Sequence, residues 1–254
     1  MRPLPSVLAD QPTLDNVQEV VFQDRALLTF SVAGQEALPV WHQLTEQHGE
    51  TGLWPVITGP RPFAPGRATP AAFERDLFAP DLIAQWLAGE QEDPEILAEI
   101  GPMVLSLDEA QRHAGSVPQD ATVPASWQEG VVSIQDGRTR QPYPQVFLAL
   151  VPTQATWDAP AWLGFGRFNG CPLPSEHHAV LRDWHQQYGL QILCVTADMV
   201  ECLVARPPTE AAQALVLATE QFAYCPDLVH QGCGSIAELA GGLLHSPTWS
   251  FWWD

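Results

Sequence analysis

Tryptophan placement constrains this chain most. Six of its ten tryptophans fall in or beside two stretches. Trp157, Trp162 and Trp184 surround the run Trp162–Tyr188, and Trp249, Trp252 and Trp253 sit in the last six residues, WSFWWD. Large aromatic side chains bury about 150–250 Å² each, so these stretches must share a core or leave a broad apolar patch exposed. Trp249, Phe251 and Trp253 alternate, which puts three rings on one face of a strand over Thr248–Trp253. That strand is expected to lie within a sheet. Helical spacing puts His177, Leu181, Trp184 and Tyr188 on one face of a helix, with His178, Arg182 and His185 on the neighbouring stripe.

The rest of the chain reads as alternating elements. Strands are expected over Val17–Phe22, Ala26–Val32 and Leu53–Thr58, with a helix over Glu36–Gln47. Pro55 marks the third strand as an edge, or as a strand start. Helices are expected over Ala71–Phe78, Pro80–Glu90 and Pro94–Ile100, after a proline-rich loop at Gly59–Pro70. Residues 112–130 have little periodicity and read as a connector between an N-terminal half (1–111) and a C-terminal domain (141–254), with 112–140 as the linking loop. The C-terminal part opens with a strand at Gln145–Val151. Ser175 is the expected N-cap of the central helix and Gly189 its stop. Strands at Gln191–Thr196 and Glu201–Ala205 and helices at Thr209–Tyr224 and Ile236–Leu244 follow. The fold class is α+β, or mixed α/β, with helices packed on the faces of a central sheet and two halves of similar element order.

Charge narrows the function. Thirty acidic residues face eleven basic ones, all arginine, for a formal net charge of −19. With no lysine, Schiff-base chemistry, a Walker-type phosphate lysine and a Ser–Lys dyad are excluded. Nucleic acid is disfavoured as a partner, because binding it rests on neutralising phosphates. A basic protein or peptide is the partner that the charge suits. No apolar run reaches the roughly 18 residues of a membrane span, and the first residues lack the apolar stretch of a signal peptide, so a cytoplasmic location is expected. The five cysteines then read as reduced thiols.

Three constellations carry candidate chemistry. Cys225, His230 and Cys233 give a C-x4-H-x2-C spacing of zinc-ligand types, with Cys171 or His245 as a fourth ligand, but it lacks a CxxC pair. The bland alternative is that these thiols pack as small apolar residues. His178 and His185 lie about 10.5 Å apart along a helix and cannot share an ion. Cys171, in a Gly-Cys-Pro turn before a helix, is a candidate nucleophile, with His177, His178 or His185 as its base. Arg167, Asn169 and Arg182, polar groups among aromatics, suit recognition of a carboxylate or a peptide.

The run LGFGRFNGCPLPSEHHAVLRDWHQQYG, followed by TADMVE, RPP, LATEQFAYCPDLV and WSFWWD, resembles a bacterial family known as a domain of unknown function, number four-two-five-three. The resemblance covers roughly the last 110 residues, and Thr51–Val56 is similar to what such proteins carry upstream. It implies a bacterial, cytosolic protein of high-GC origin and brings no reaction or cofactor. The matching positions imply a site at Asn169, Cys171, Pro172, His185, Tyr188, Asp198, Glu201, Glu220, Cys225, Asp227 and Trp252.

The expected function is a non-enzymatic protein- or peptide-binding module, immunity-like or regulatory. The alternatives are a thiol- or zinc-dependent enzyme of hydrolase type, centred on Cys171/His185 or Cys225/His230/Cys233, and a module with no ligand of its own.

Overall fold

A computed structural model describes residues 15–22, 25–62, 106–118, 131–166 and 168–253. The helices expected between Ala71 and Ile100 lie outside these residues.

Seven strands form one sheet: β1 (Asp15–Phe22), β2 (Arg25–Val32), β3 (Leu53–Gly59), β4 (Val146–Pro152), β5 (Leu190–Val195), β6 (Met199–Val204) and β7 (Thr248–Trp252). Their order is β1-β2-β4-β3-β5-β6-β7. Among the described strands, only the β3–β5 pair is parallel. Strands from both halves of the sequence therefore interleave in a single mixed α/β sheet. The middle strands are buried on both faces: Val56, Val146, Leu148, Ala149, Ile192 and Cys194 have no exposure. That burial explains why β4 reads VFLALV, without alternation.

Of the two expected places for Pro55, the edge is ruled out; it lies near the start of β3. β3 lies between β4 and β5. The β3–β5 ladder is registered at Ile57↔Cys194, beyond the proline, and the Trp54 indole N–H donates to the Ile192 carbonyl at 2.9 Å. A side-chain donor thus serves this end of β5, where a proline has no backbone donor to give.

The helices are α1 (Ala37–Glu46), α2 (His48–Thr51), α3 (Leu107–His113), α4 (Ala159–Trp162), α5 (Pro174–Tyr188), α6 (Ala211–Tyr224) and α7 (Ile236–Leu243). Gly52, at φ 65°, closes α2, so the chain stays helical past Gly49. α3 begins with a reciprocal cap: Ser106 Oγ accepts from Glu109 N–H at 3.3 Å and Glu109 Oε2 accepts from Ser106 N–H at 3.1 Å. Its last turn, with Ala114–Ser116, is ordered at the start of the segment read as a connector. Leu228–Cys233, expected as loop, is a π-helical turn. Among the described residues, no helix is long and apolar enough to cross a membrane.

The two tryptophan stretches do meet. Trp184 of α5 stacks on Phe251 of β7 at 5.4 Å and meets Trp249 edge-on at 5.7 Å. Trp249, Phe251 and Trp253 are at most 3% exposed. β7 closes one end of the sheet, and its aromatic face is the floor on which α5 and α6 rest.

A groove between two helices as the candidate functional site

α5 starts one residue before the expected Ser175 cap. Leu173 is the extended N-cap residue and Pro174 takes the first helical position, where its fixed φ suits the helix and its missing N–H costs nothing. The Glu176 carboxylate turns back to accept the Leu173 N–H. Gly189, at φ 68°, closes the helix as expected.

The preceding loop is pressed against α5. A Cβ on Gly166 would meet the Pro172 carbonyl oxygen at 2.4 Å and the His177 ring at 3.4 Å, and the residue sits at φ 129°. Only glycine fits there, which brings Cys171 onto the first turn of the helix. Cys171 Sγ lies 3.4 Å from His177 Nε2, and His177 Nδ1 lies 2.6 Å from the Tyr224 hydroxyl on α6. Cys171 therefore pairs with His177, not with His185. His185 stands two helical turns further on, packs on Trp157 at 4.6 Å, and donates from Nδ1 to the Leu190 carbonyl at 2.7 Å.

Burial governs this chain of groups. It pushes His177 down to about 3, so the imidazole is neutral. It also raises the Cys171 thiol, with Cys225 and Glu176 adding to the shift, and raises the Tyr224 phenol. All three groups are uncharged at neutral pH. A thiolate nucleophile needs the opposite surroundings.

α5 and α6 face each other across a gap that side chains bridge. The Trp184 indole N–H donates to Glu220 Oε2 at 3.0 Å. Near the α5 N-terminus the gap opens into a cleft of about 420 Å³, lined by Cys171, Leu173, Glu176, Val180, Ala223 and Tyr224 with Gly170 and Pro172. Further along stand Asp183 and Glu220. Burial raises both carboxyls; Asp183 also raises Glu220, while bonds from Gln187 and Trp184 pull the other way. No cation figures among these causes. Tyr188, at the far end, is pushed up to about 12 by burial and then by Glu220 and Asp183. It packs edge-on against Trp249 at 5.3 Å.

The remaining sequence candidates are elsewhere or already engaged. Glu201 is 2% exposed; Oε1 accepts the Val132 N–H at 2.7 Å and Oε2 accepts the Ser133 N–H at 3.0 Å. It clamps the Val132–Ile134 turn onto β6. Asp198 is exposed in the β5–β6 turn, where it accepts the Thr196 hydroxyl at 3.2 Å. Asn169 is exposed in a left-handed conformation at φ 44°. Arg182 is half-buried on the outer stripe of α5, and Asp227 precedes the π-helical turn. The Trp252 carbonyl accepts the Cys225 thiol at 3.0 Å. Cys233 gives its thiol to the Leu228 carbonyl at 3.2 Å, and His230 is exposed, edge-on to Phe222 at 5.3 Å. Among the described residues, no three His, Cys, Asp or Glu side chains are grouped to hold a metal ion. Arg167 lies outside the described residues.

A chain of groove residues from Cys171 to Tyr188 thus falls in the C-terminal part. Residues 147–254 match the family model described as Domain of unknown function (DUF4253). The DUF4253 match runs from β4 through β7 and takes in α5, α6 and the whole groove, while β3, which separates β4 from β5, lies before it. No curated protein and no solved structure matches the chain.

The sequence reading names Tyr188 and Glu220 as site residues but neither Tyr224 nor Glu176. The signal was present in spacing: Glu176, Val180 and Asp183 share one stripe of α5, and Glu220 and Tyr224 are one turn apart on α6. Asp158 was also missed. It is 4% exposed, holds His178 Nδ1 at 2.7 Å, and accepts the Thr153 hydroxyl at 3.2 Å.

Proposed function

We propose that this protein is a non-enzymatic module that binds a basic protein or peptide along the α5–α6 groove. The observation that carries the reading is the Asp183–Glu220 pair. Two partly buried carboxyls are raised by burial, one of them also by its neighbour. A cationic side chain from a partner would offset the cost of burying these charges, and the net charge of −19 would speed its approach. Regulatory and immunity-like roles both fit such a module.

The rival thiol-enzyme reading draws support from Cys171, His177 and Tyr224 meeting beside a cleft. Their neutrality weighs against it.

The test is calorimetric titration of the full chain with an acetylated, amidated Arg-Ala-Ala-Arg peptide and with its Glu-Ala-Ala-Glu counterpart. Binding of the basic peptide alone, weakened by salt and by the double substitution Asp183→Asn and Glu220→Gln, is expected. Equal binding of both peptides, or of neither, would sink the proposal.

A further inference from the structure

The cleft at the N-terminal end of the groove has a chemistry of its own, distinct from that of the Asp183–Glu220 pair. One wall is aliphatic: Leu173, Val180 and Ala223 line it. Its charged group is Glu176, whose Oε2 is occupied by the Leu173 N–H. Among the described residues Oε1 takes no donor. Its phenol, Tyr224, is tied to buried His177, and its thiol, Cys171, is tied to the same ring. The cleft therefore offers an aliphatic wall beside one uncommitted carboxylate oxygen, with no opposing cation from its lining.

A long side chain with an aliphatic stem and a cationic head matches that arrangement, because such side chains lay their methylenes on apolar surface while the head keeps polar partners. The room, about 420 Å³, admits one with water beside it. Anionic and purely apolar ligands are both unsuited: the first meets Glu176, the second strands its carboxylate.

We propose that this cleft receives a single arginine or lysine side chain of the partner, its stem on Val180 and Ala223 and its charge on Glu176. The inference rests on the basic-partner reading above and adds where one anchor goes. It also sets a spacing. Glu176 and Asp183 are about 10.5 Å apart along α5. Two cationic side chains three residues apart in a polyproline II peptide lie on one face and span about 9 Å. A partner in that conformation with a basic residue at every third position thus fills both anchors at once.

The experiment uses the full chain, the same acetylated and amidated Arg-Ala-Ala-Arg peptide, its lysine analogue, and a peptide with the two arginines adjacent. Two variants probe the cleft. Glu176→Gln keeps an oxygen to accept the Leu173 N–H but removes the charge. Ala223→Phe fills the cleft from α6. Each is expected to weaken both basic peptides at least about tenfold, the scale of one lost charge-assisted hydrogen bond. The adjacent-arginine peptide is expected to bind the unaltered protein more weakly and to lose less in the variants. Matching far-UV spectra and melting transitions guard against misfolding, and either variant suffices if the other fails to fold. Full affinity in the variant that folds, for peptides that bind the unaltered protein, overturns the cleft assignment and leaves the groove reading standing. No salt-sensitive binding by the unaltered protein overturns both.

Discussion

Glu201→Ala tests whether this buried carboxylate is a structural clamp. The side chain is 2% exposed and accepts two backbone N–H groups, from Val132 at 2.7 Å and Ser133 at 3.0 Å, with the Ser250 hydroxyl at 3.4 Å. Alanine strands those donors. Hydrogen bonds to a charged acceptor contribute about 1.5–3 kcal/mol each, so two are worth about 3–6 kcal/mol. Relief from burying a carboxylate offsets part of this, leaving an expected net loss of about 2–4 kcal/mol. Against a typical total of about 5–15 kcal/mol that is a large shift. Urea unfolding followed by tryptophan fluorescence reads it directly. Glu201→Gln retains one acceptor oxygen and should fall between wild type and alanine. An alanine variant whose stability lies within about 0.5 kcal/mol of wild type, the range of an ordinary surface change, would refute the clamp.

Three further outcomes follow from the same geometry. Deleting Ser250–Asp254 removes Phe251 and Trp253, both at most 2% exposed; at about 25 cal/mol per Å² and 150–250 Å² per ring the loss is about 8–12 kcal/mol, and the truncated chain should show no cooperative melting transition. His177, held at about 3 against an ordinary 6.5, binds its proton more readily in the unfolded chain, so stability should fall as pH drops through that window, by up to about 1.4 kcal/mol per unit; His177→Gln should flatten the profile, and an unchanged slope counts against a buried neutral imidazole. Cys171, its thiol raised by burial and only 6% exposed, should alkylate roughly tenfold or more slowly than a free thiol at neutral pH, and labelling at the free rate would revive the nucleophile reading.

Much of the fold was legible because hydrophobic period reports burial. The strand alternation at Thr248–Trp252 and the helical face His177–Leu181–Trp184–Tyr188 were both readable, and the two do pack on each other. The edge reading of Pro55 misled, because a local rule about missing donors cannot see that Trp54 supplies a donor from the side. Ser175 misled for a similar reason: it is a good cap in isolation, but Pro174 had a stronger claim on the first turn. The candidate site was only partly legible. Glu201 and Glu220 look alike in sequence, yet one is spent on backbone N–H groups and the other takes the Trp184 indole N–H beside Asp183.

The charge, the absence of lysine and the periodicity that sorts strands from helices were all legible before any fold was known. These are properties of residue type and spacing along the chain. Tertiary structure alone decided the partners. It placed β3 between β4 and β5, gave His177 rather than His185 to Cys171, and brought Asp183 near enough to raise Glu220 further. Each of those outcomes depends on which distant side chain arrives at a few ångströms and on how much water leaves with it. Hydrogen bonds and charges act over that range, and spacing along a chain does not report it.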